Sequence, residues 1–231
     1  MNGQLDPSDY TGMSFWIISA AMVAATFFFW VERDRAVGKW KTSLTVAAMV
    51  TGIAAIHYFY MRGVWASTGE SPLVFRYVDW LLTVPLQIVE FYLILAAIAV
   101  VKSSLFWRLL IASVIMLVAG YLGEVGSVNV WAGFVVGMLG WLYIIYEVFA
   151  GEASQINASK GTAASQRAFN ALRLIVTIGW AIYPIGYMAG TEGWYSGIFG
   201  GLPMDVVYNV GDAINKIGFG LVVYNLAVQS K

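Results

Sequence analysis

Long apolar stretches separated by short polar connections follow one another along the chain. Because a helix that crosses the hydrocarbon core of a bilayer needs roughly 20 apolar residues, each stretch is predicted to be a membrane-spanning α-helix. The pattern therefore predicts an all-α membrane protein, a bundle of seven transmembrane helices that forms one domain over residues 1–231. The predicted spans are Tyr10–Val31, Trp40–Met61, Ser71–Val101, Leu105–Leu122, Val128–Phe149, Arg167–Gly190 and Pro203–Val228.

The polar connections indicate how this bundle is oriented. Under the positive-inside rule, the side that carries most of the basic residues is cytoplasmic, which predicts an extracellular amino terminus and a cytoplasmic carboxyl terminus. The longest connection, GEASQINASKGTAASQ at 151–166, is rich in Gly, Ser, Ala and Asn and is predicted to be a flexible solvated loop. The basic residues on the predicted cytoplasmic side are Arg33, Arg35, Lys39, Lys41, Lys102, Arg108, Lys160, Arg167, Arg173 and Lys231.

The composition agrees with a membrane protein and excludes several functions. Hydrophobic residues make up 60% of the chain and charged residues 11%, and the mean hydropathy of +0.73 exceeds that of soluble domains. The absence of cysteine excludes disulfides, thiol catalysis and cysteine-bound metals, and the 13 basic and 13 acidic residues leave no net charge to attract nucleic acid. The start, MNGQLDPSDYTG, lacks the pattern of a secretory signal, so we expect that such a segment was never present or has been removed.

Polar residues interrupt the third predicted span. In the stretch RYVDWLLTVPLQIVE, the residues Arg76, Asp79, Thr83, Gln87 and Glu90 follow one another at steps of three, four, four and three. Since an α-helix turns by about 100° per residue, these five side chains share one stripe of the helix. The third span is therefore predicted to direct its polar groups at one place inside the bundle.

A lysine lies near the middle of the seventh predicted span. Lys216 follows Asp212 by one helical turn, on the same face. A cation near the bilayer midplane costs about 3 kcal/mol on insertion scales, so a functional role is favoured over a purely structural Asp212–Lys216 ion pair. A desolvated lysine amine is also the group that forms a Schiff base with an aldehyde. A protonated Schiff base together with Arg76 would balance the negative charges of Asp79 and Asp212.

Glu90 has no partner in this balance of charges. It follows Asp79 by eleven residues, roughly 16 Å along the helix axis toward the predicted cytoplasmic side. The apolar surroundings of a membrane span favour a carboxyl group that keeps its proton. A charged carboxylate beside a cation and a neutral carboxyl farther along the same stripe are suited to be the acceptor and the donor of protons around a switchable base.

Three segments resemble the retinal-binding helices of the microbial rhodopsins: RYVDWLLTVPLQIVE, WAIYP at 180–184 and GDAINKIGFG at 211–220. The resemblance extends over all seven spans and implies that all-trans retinal is bound to Lys216 as a Schiff base. It also implies that Asp79, Thr83 and Glu90 are the acceptor, the threonine and the donor of an outward proton pump. The glutamate donor is similar to that of the proteorhodopsins. The resemblance to this group also implies that the protein forms a homo-oligomer, a pentamer or hexamer, in the bilayer.

The resemblance assigns roles to further residues. Asp212 would be the second counterion, and Arg76 would organise the extracellular half. Without the resemblance, the aromatic residues to which it assigns a role, in the third, fifth and sixth predicted spans, would be interpreted as helix-packing residues, and Pro85 and Pro184 as helix kinks. The residues that would line the retinal pocket are Trp80, Trp180, Tyr183 and Pro184, with Met116, Gly120, Phe134 and Tyr187 as further members.

His57 is the single histidine of the chain and lies within the second predicted span. A neutral histidine bonded to a neighbouring helix is the common interpretation for a membrane interior. The resemblance to proteorhodopsins instead implies that His57 is the partner of the acceptor Asp79. Such a pair would couple two titrations and would make pumping depend on the external pH.

Gln87 is the polar residue of the stripe that proton transfer does not need. Proteorhodopsins have leucine at the matching place in green-absorbing forms and glutamine in blue-absorbing forms, so the resemblance implies that Gln87 tunes absorption toward the blue. A fixed amide dipole that suits the charge distribution of the ground state suits the excited state less well, which widens the energy gap. The alternative is an amide that bonds a neighbouring helix.

Carboxyl groups near the ends of the spans have weaker assignments. The resemblance identifies Glu192 with one of two outer carboxyls that release protons in bacteriorhodopsin, whereas the second position is Met204. Asp205, the next residue, is expected to point about 100° away. Glu124 and Glu147 are interpreted as solvated or interfacial carboxylates without a functional role.

The sequence therefore predicts a light-driven ion transporter rather than an enzyme. The expected activity is outward proton pumping across a bacterial cytoplasmic membrane, in a multi-pass protein of the blue-absorbing proteorhodopsin type. The alternative is a photosensor that has the same pocket and signals through a partner. A seven-helix receptor or carrier without a chromophore would leave Lys216 unexplained.

Overall fold

The computed structural model describes residues 4–190 and 203–229, which form long helices joined by short connections. The seventh long helix, α8, covers residues 204–229 and consists of Met204–Ala213, the π-helical turn Ile214–Gly218 and Phe219–Gln229. The preceding helices are α1 (Tyr10–Glu32), α2 (Lys39–Thr68), α3 (Leu73–Ile98), α4 (Ser103–Glu124), α5 (Val130–Phe149), the short α6 (Glu152–Lys160) and α7 (Ala163–Gly190).

The seven-helix bundle predicted from the apolar pattern is confirmed. Within the described residues, the helices before α8 include six that are long and apolar enough to cross a membrane. Helix α8 packs against α1, α2 and α7 and completes the bundle. Large apolar side chains such as Phe27, Ile56, Leu139 and Ile178 point outward. An apolar outer surface is the arrangement that a lipid bilayer stabilises.

Helix α2 continues beyond its predicted end at Met61 and stops at Thr68. The additional turns are held by Trp65, whose indole Nε1 donates a hydrogen bond of 2.6 Å to Asp9 at the start of α1. Asp9 also caps α1 by accepting a hydrogen bond from the amide of Gly12. The helix ends at Gly69, whose φ of 72° is the left-handed conformation that glycine adopts at low cost.

The prediction of a flexible solvated loop at 151–166 is wrong. Residues 152–160 form α6, which begins directly after α5, and α7 starts at Ala163. Glu152 lies in the first turn of α6 and Lys160 in the last, where each charge is favourable for the helix dipole. Ala153 and Asn157 are buried against the bundle. Packing of this face therefore outweighs the glycine and serine content on which the prediction depended.

Helices α7 and α8 each contain one π-helical turn. The turn in α7 is Ile175–Gly179, and the turn in α8 is Ile214–Gly218, which includes Lys216. The two turns contact each other inside the bundle. Such wide turns leave backbone carbonyl groups without their usual helical partners and are frequent at functional sites.

Candidate functional site

The centre of the bundle contains a buried cluster of three charged groups. The Nζ atom of Lys216 lies 2.9 Å from Oδ2 of Asp79 on α3 and 2.9 Å from Oδ2 of Asp212 on α8. The side chain of Lys216 is 1% exposed, and those of Asp79 and Asp212 are 0% exposed. The structure therefore brings together the lysine and the two carboxylates that the sequence identified. One turn of α8 separates Asp212 from Lys216, so this helix supplies both the amine and one of its partners.

The two carboxylates have different surroundings. Asp212 accepts hydrogen bonds from Tyr58 Oη at 2.8 Å, from Tyr183 Oη at 2.6 Å and from the indole of Trp80 at 3.2 Å. Neither carboxylate oxygen of Asp79 accepts a hydrogen bond of good geometry from the described residues. The negative charge of Asp212 is thus stabilised by neutral donors, whereas that of Asp79 depends on its ion contact with Lys216.

His57 lies next to Asp79. Its Nδ1 atom is 3.6 Å from Oδ1 of Asp79 and 3.0 Å from the backbone oxygen of Ile53 on its own helix. The side chain is 19% exposed, so one edge of the ring faces the outside of the bundle. Because a carbonyl oxygen can only accept, the contact with Ile53 requires a hydrogen on Nδ1.

Arg76 is buried and joins α3 to the beginning of α8. Its guanidinium group donates to Asp205 at 2.7 Å and to Oδ1 of Asn209 at 2.7 Å. The guanidinium carbon also lies over the rings of Phe15 and Tyr208, at 5.0 and 5.3 Å from their centroids. Asp205, to which the sequence assigned no function, is therefore the ion-pair partner of Arg76. The sequence did not predict this contact, because the side chain at position 205 was expected to point about 100° away from that at position 204. The long side chain of Arg76 nevertheless reaches Asp205.

Thr83 and Glu90 continue the polar stripe of α3. The hydroxyl of Thr83 donates to the backbone oxygen of Asp79 at 2.9 Å. Glu90 is fully buried, and neither of its carboxyl oxygens has a hydrogen-bond partner among the described residues. The buried hydroxyl of Ser43 on α2 faces this carboxyl group. Glu90 is therefore isolated in an apolar region of the bundle, away from the ion cluster.

Gln87 is directed at α8 rather than at the neighbouring cleft. Its Nε2 atom donates a hydrogen bond of 2.7 Å to the backbone oxygen of Asn215, the residue before Lys216. The side chain is buried, and it is absent from the lining of the cleft described below. The alternative interpretation from the sequence, an amide that bonds a neighbouring helix, thus describes the contact that Gln87 makes.

An apolar cleft between α3, α4, α5 and α7 adjoins the ion cluster. Its empty volume is about 620 Å³, including the space at its open mouth. All eight residues that the resemblance assigned to a retinal pocket line it: Trp80, Met116, Gly120, Phe134, Trp180, Tyr183, Pro184 and Tyr187. The sequence reasoning missed a further set, Tyr77, Val84, Leu117, Gly133, Gly137, Met138 and Trp141. In α5, Gly137, Met138 and Trp141 follow Phe134 by three, four and seven residues and therefore share its helix face. This spacing could have identified part of the set.

The cleft suits an elongated apolar molecule that is attached to Lys216. Trp80 and Tyr183 line the cleft, and the same two side chains donate hydrogen bonds to Asp212, the partner of Lys216. These two side chains therefore connect the mainly aromatic and aliphatic wall of the cleft to the ion cluster that contains the amine. A buried amine, two carboxylates and an apolar cleft fit an aldehyde bound as a Schiff base.

The fold and this site define a seven-helix membrane protein with a buried lysine that is suited to bind an aldehyde as a Schiff base. The sequence profile of the family described as Bacteriorhodopsin-like protein matches residues 9–230, and the chain belongs to this family. Proteins of this family bind retinal through a Schiff base to a lysine, and Lys216 is the lysine buried in the site. The prediction of a microbial rhodopsin with a retinal cofactor is thereby confirmed.

The chain is similar over its length to known proteorhodopsins. It is 54% identical over 228 residues to the green-light absorbing proteorhodopsin of Gamma-proteobacterium EBAC31A08, covering 98% of this chain and 90% of that protein. It is 53% identical over 227 residues to the blue-light absorbing proteorhodopsin of Gamma-proteobacterium Hot 75m4, with the same coverage. The blue light-absorbing proteorhodopsin from Med12, known from a crystal structure, is 52% identical in sequence to this chain. The two structures align with a TM-score of 0.80 over 96% of this chain and 100% of that protein.

Two carboxyl groups near the helix ends, Glu147 and Glu124, lie in different surroundings. Glu147, expected to be solvated or interfacial, is only 3% exposed, accepts a hydrogen bond from Tyr143 at 2.9 Å and lies 3.2 Å from Arg108. The expectation of a solvated group is wrong, because the carboxyl group is buried beside Tyr143 and Arg108. Glu124 accepts a hydrogen bond of 2.7 Å from Tyr77, which lines the cleft. Glu192 lies outside the described residues.

Proposed function

We propose that this protein is a light-driven proton pump that moves protons outward across a bacterial cytoplasmic membrane. The observation that carries the proposal is the position of the Lys216 amine between Asp79 and Asp212, with Glu90 farther along the stripe of α3. Retinal bound to this amine supplies light absorption, a change of shape and a nitrogen that can release and regain a proton. The residues of the chain determine where that proton comes from and where it goes.

Asp79 is the group that accepts the proton from the Lys216 nitrogen. Both aspartates have an oxygen 2.9 Å from Nζ, so distance alone does not distinguish them. The three neutral donors around Asp212 stabilise its charged form and oppose protonation. Asp79 lacks such donors, and protonation removes a buried charge that would lose its cationic partner. His57, whose Nδ1 lies 3.6 Å from Oδ1 of Asp79, is the neighbouring group that the resemblance implies as the partner of the acceptor.

Glu90 is the group that returns a proton to the nitrogen. A carboxyl group without hydrogen-bond partners in an apolar region is most stable when it is neutral, so Glu90 is loaded before light arrives. It lies toward the end of α3, whereas Asp79 lies nearer its beginning. Transfer from Glu90 to the nitrogen and from the nitrogen to Asp79 therefore moves charge toward the amino-terminal end of α3. The distribution of basic residues supports an extracellular position for that end.

Gln87 supports assignment to the blue-absorbing type. A glutamine at this position resembles the blue-absorbing proteorhodopsins, and its amide is fixed by the hydrogen bond to the backbone of Asn215. Because Asn215 precedes Lys216, the amide dipole is held against the turn that carries the lysine. The proposed direction of tuning is toward shorter wavelengths than in a variant with leucine at this position.

The proposed pumping is tested with the protein reconstituted with retinal in bacterial cells or in vesicles of known orientation. Illumination of cells should acidify the medium, and a protonophore should abolish this change. Alkalinisation of the medium that the protonophore abolishes would contradict the outward direction. A pigment that absorbs visible light without protonophore-sensitive pH changes would contradict pumping and would favour the sensory alternative.

A further inference from the structure

Three backbone carbonyl groups in the π-helical turns accept hydrogen bonds from side chains of other helices. The amide of Trp180 bonds Ile175 O rather than Val176 O, and Val176 O accepts instead from the indole of Trp141 at 2.9 Å. The amide of Tyr183 bonds Trp180 O, which leaves Gly179 O for Nδ2 of Asn215 at 3.0 Å. Each side chain thus replaces a helical partner that the wide turn has displaced.

The same replacement occurs in α8, at the residue before the lysine. The amide of Phe219 would serve Asn215 O in a regular α-helix, but it bonds Lys216 O. Asn215 O accepts instead from Nε2 of Gln87 at 2.7 Å. Asn215 therefore joins α8 to two other helices: its backbone oxygen accepts from α3, and its side chain donates to α7.

The side chain of Asn215 also reaches the partners of the buried amine. Its Nδ2 atom donates to Tyr183 Oη at 3.1 Å, and Tyr183 in turn donates to Asp212 at 2.6 Å. Asn215 is 1% exposed, so water does not substitute easily for these contacts. A rotation of the Asn215 amide would change the hydrogen bonding of Tyr183 and, through it, the surroundings of Asp212.

Gly179 provides the space that this amide occupies. A Cβ atom built on Gly179 would lie 2.0 Å from Oδ1 of Asn215, which is closer than real Cβ contacts allow. Alanine at position 179 would therefore displace the Asn215 amide and break its hydrogen bonds to Gly179 O and to Tyr183. Neither Gly179 nor Asn215 lines the cleft, so this effect would reach the cofactor through the turns and through Tyr183 rather than by direct contact.

We propose that Asn215, seated on Gly179, is a positioning residue that fixes the turn carrying Lys216 against α7, and that Gln87 acts on Lys216 through this turn. The proposal rests on the proposed function, because its readout is the colour of the retinal pigment. A direct effect of the Gln87 dipole on the cofactor would not depend on Asn215. In the proposed arrangement, the effect of Gln87 on the absorption maximum depends on Asn215, a residue that does not line the cleft.

The test compares the absorption maximum and the thermal bleaching midpoint of the pigment in Gly179→Ala, Asn215→Ala and the double variant. Both single substitutions should shift the absorption maximum and lower the midpoint. The double variant should resemble Asn215→Ala, because the added methyl group no longer meets the Asn215 amide. The matched control is Gly218→Ala in the turn of α8, where a Cβ atom meets nothing within 4 Å, and its band should stay in place.

Several outcomes would overturn the proposal. Unmoved bands in both single variants, or strictly additive shifts in the double variant, would show that the contact between the turns does not position the lysine. If Gly179→Ala forms no pigment, Asn215→Ala in the same chain should restore it, and failure to restore it would exclude the steric explanation.

A second comparison examines the part played by Gln87. The band shift caused by Gln87→Leu should be smaller in the Asn215→Ala background than in the unmodified chain. Equal shifts in the two backgrounds would favour a direct dipole and would overturn the coupling. Absence of a visible band in the unmodified protein would instead contradict the proposed function itself, so the two failures are distinguishable.

Discussion

Replacing Lys216 by alanine removes the cation that lies 2.9 Å from both Asp79 and Asp212. The substitution should abolish covalent retinal and the visible band, because no other lysine is buried among the described residues. It also leaves two carboxylates facing each other in a region where each is 0% exposed. A second effect, on the stability of the retinal-free protein, should therefore accompany the loss of colour.

The size of this second effect follows from the burial of the cluster. Removing one member of a buried ion pair costs about 3–5 kcal/mol, because the remaining charge has no partner. For a chain of 150–250 residues, a change of 1 kcal/mol shifts the unfolding midpoint by about 2–4 °C, so the expected decrease is about 6–20 °C. The hydrogen bonds that Tyr58, Tyr183 and Trp80 donate to Asp212 favour the lower half of this range.

The assay measures thermal unfolding of the retinal-free protein in detergent for the unmodified chain, Lys216→Ala and Lys216→Ala combined with Asp79→Asn. The double variant should regain most of the lost midpoint, since the uncompensated charge of Asp79 is gone. The difference between Lys216→Ala and the unmodified chain should also narrow at acidic pH, where the aspartates bind protons. A visible retinal band in Lys216→Ala would refute the attachment site, and an unchanged midpoint would refute the reasoning about the buried charges.

Three further substitutions test the proposed proton path and colour. Asp79→Asn should retain the pigment but stop light-driven acidification, measured with a pH electrode, since the amide cannot accept the proton; normal pumping would exclude Asp79 as acceptor. Glu90→Gln should slow the return of the flash-induced absorbance change by about 10²-fold or more, because the proton donor is lost; an unchanged return would remove Glu90 from the path. Gln87→Leu should move the absorption maximum to longer wavelength while pumping continues; an unmoved or blue-shifted band in the purified protein would contradict the tuning assignment.

The sequence predicted the bundle and the charged centre because both depend on short-range regularities. Membrane spans follow from local hydropathy, and the contact of Asp212 with Lys216 follows from one helical turn. The residues of the cleft came from family resemblance, since apolar and aromatic side chains that share one face of a membrane helix pack against neighbouring helices as readily as against a ligand.

The features that the sequence did not reveal depend on contacts between helices. To predict the ion pair of Arg76 with Asp205, one must know how far the arginine side chain extends and in which direction each residue points from its helix. The hydrogen bond of Gln87 to the backbone oxygen of Asn215 depends on the π-helical turn of α8, which leaves this oxygen without its usual helical partner. No residue type in the sequence predicts such a turn. Helix α6 forms because Ala153 and Asn157 find a surface to pack on, which the segment alone does not specify.

The apolar surroundings of Glu90 have an electrical consequence. Toward the carboxy-terminal end of α3, Phe91 makes edge-to-face contacts with Phe169 and Phe219, at 5.6 and 5.7 Å between centroids, and all three rings are buried. A membrane voltage falls mainly across such low-dielectric layers, and moving one charge through 100 mV corresponds to about 2.3 kcal/mol. In the proposed direction of transport, the proton that reloads Glu90 crosses this layer against the resting voltage. Reloading of Glu90 through these buried rings is therefore a step that an energised membrane slows.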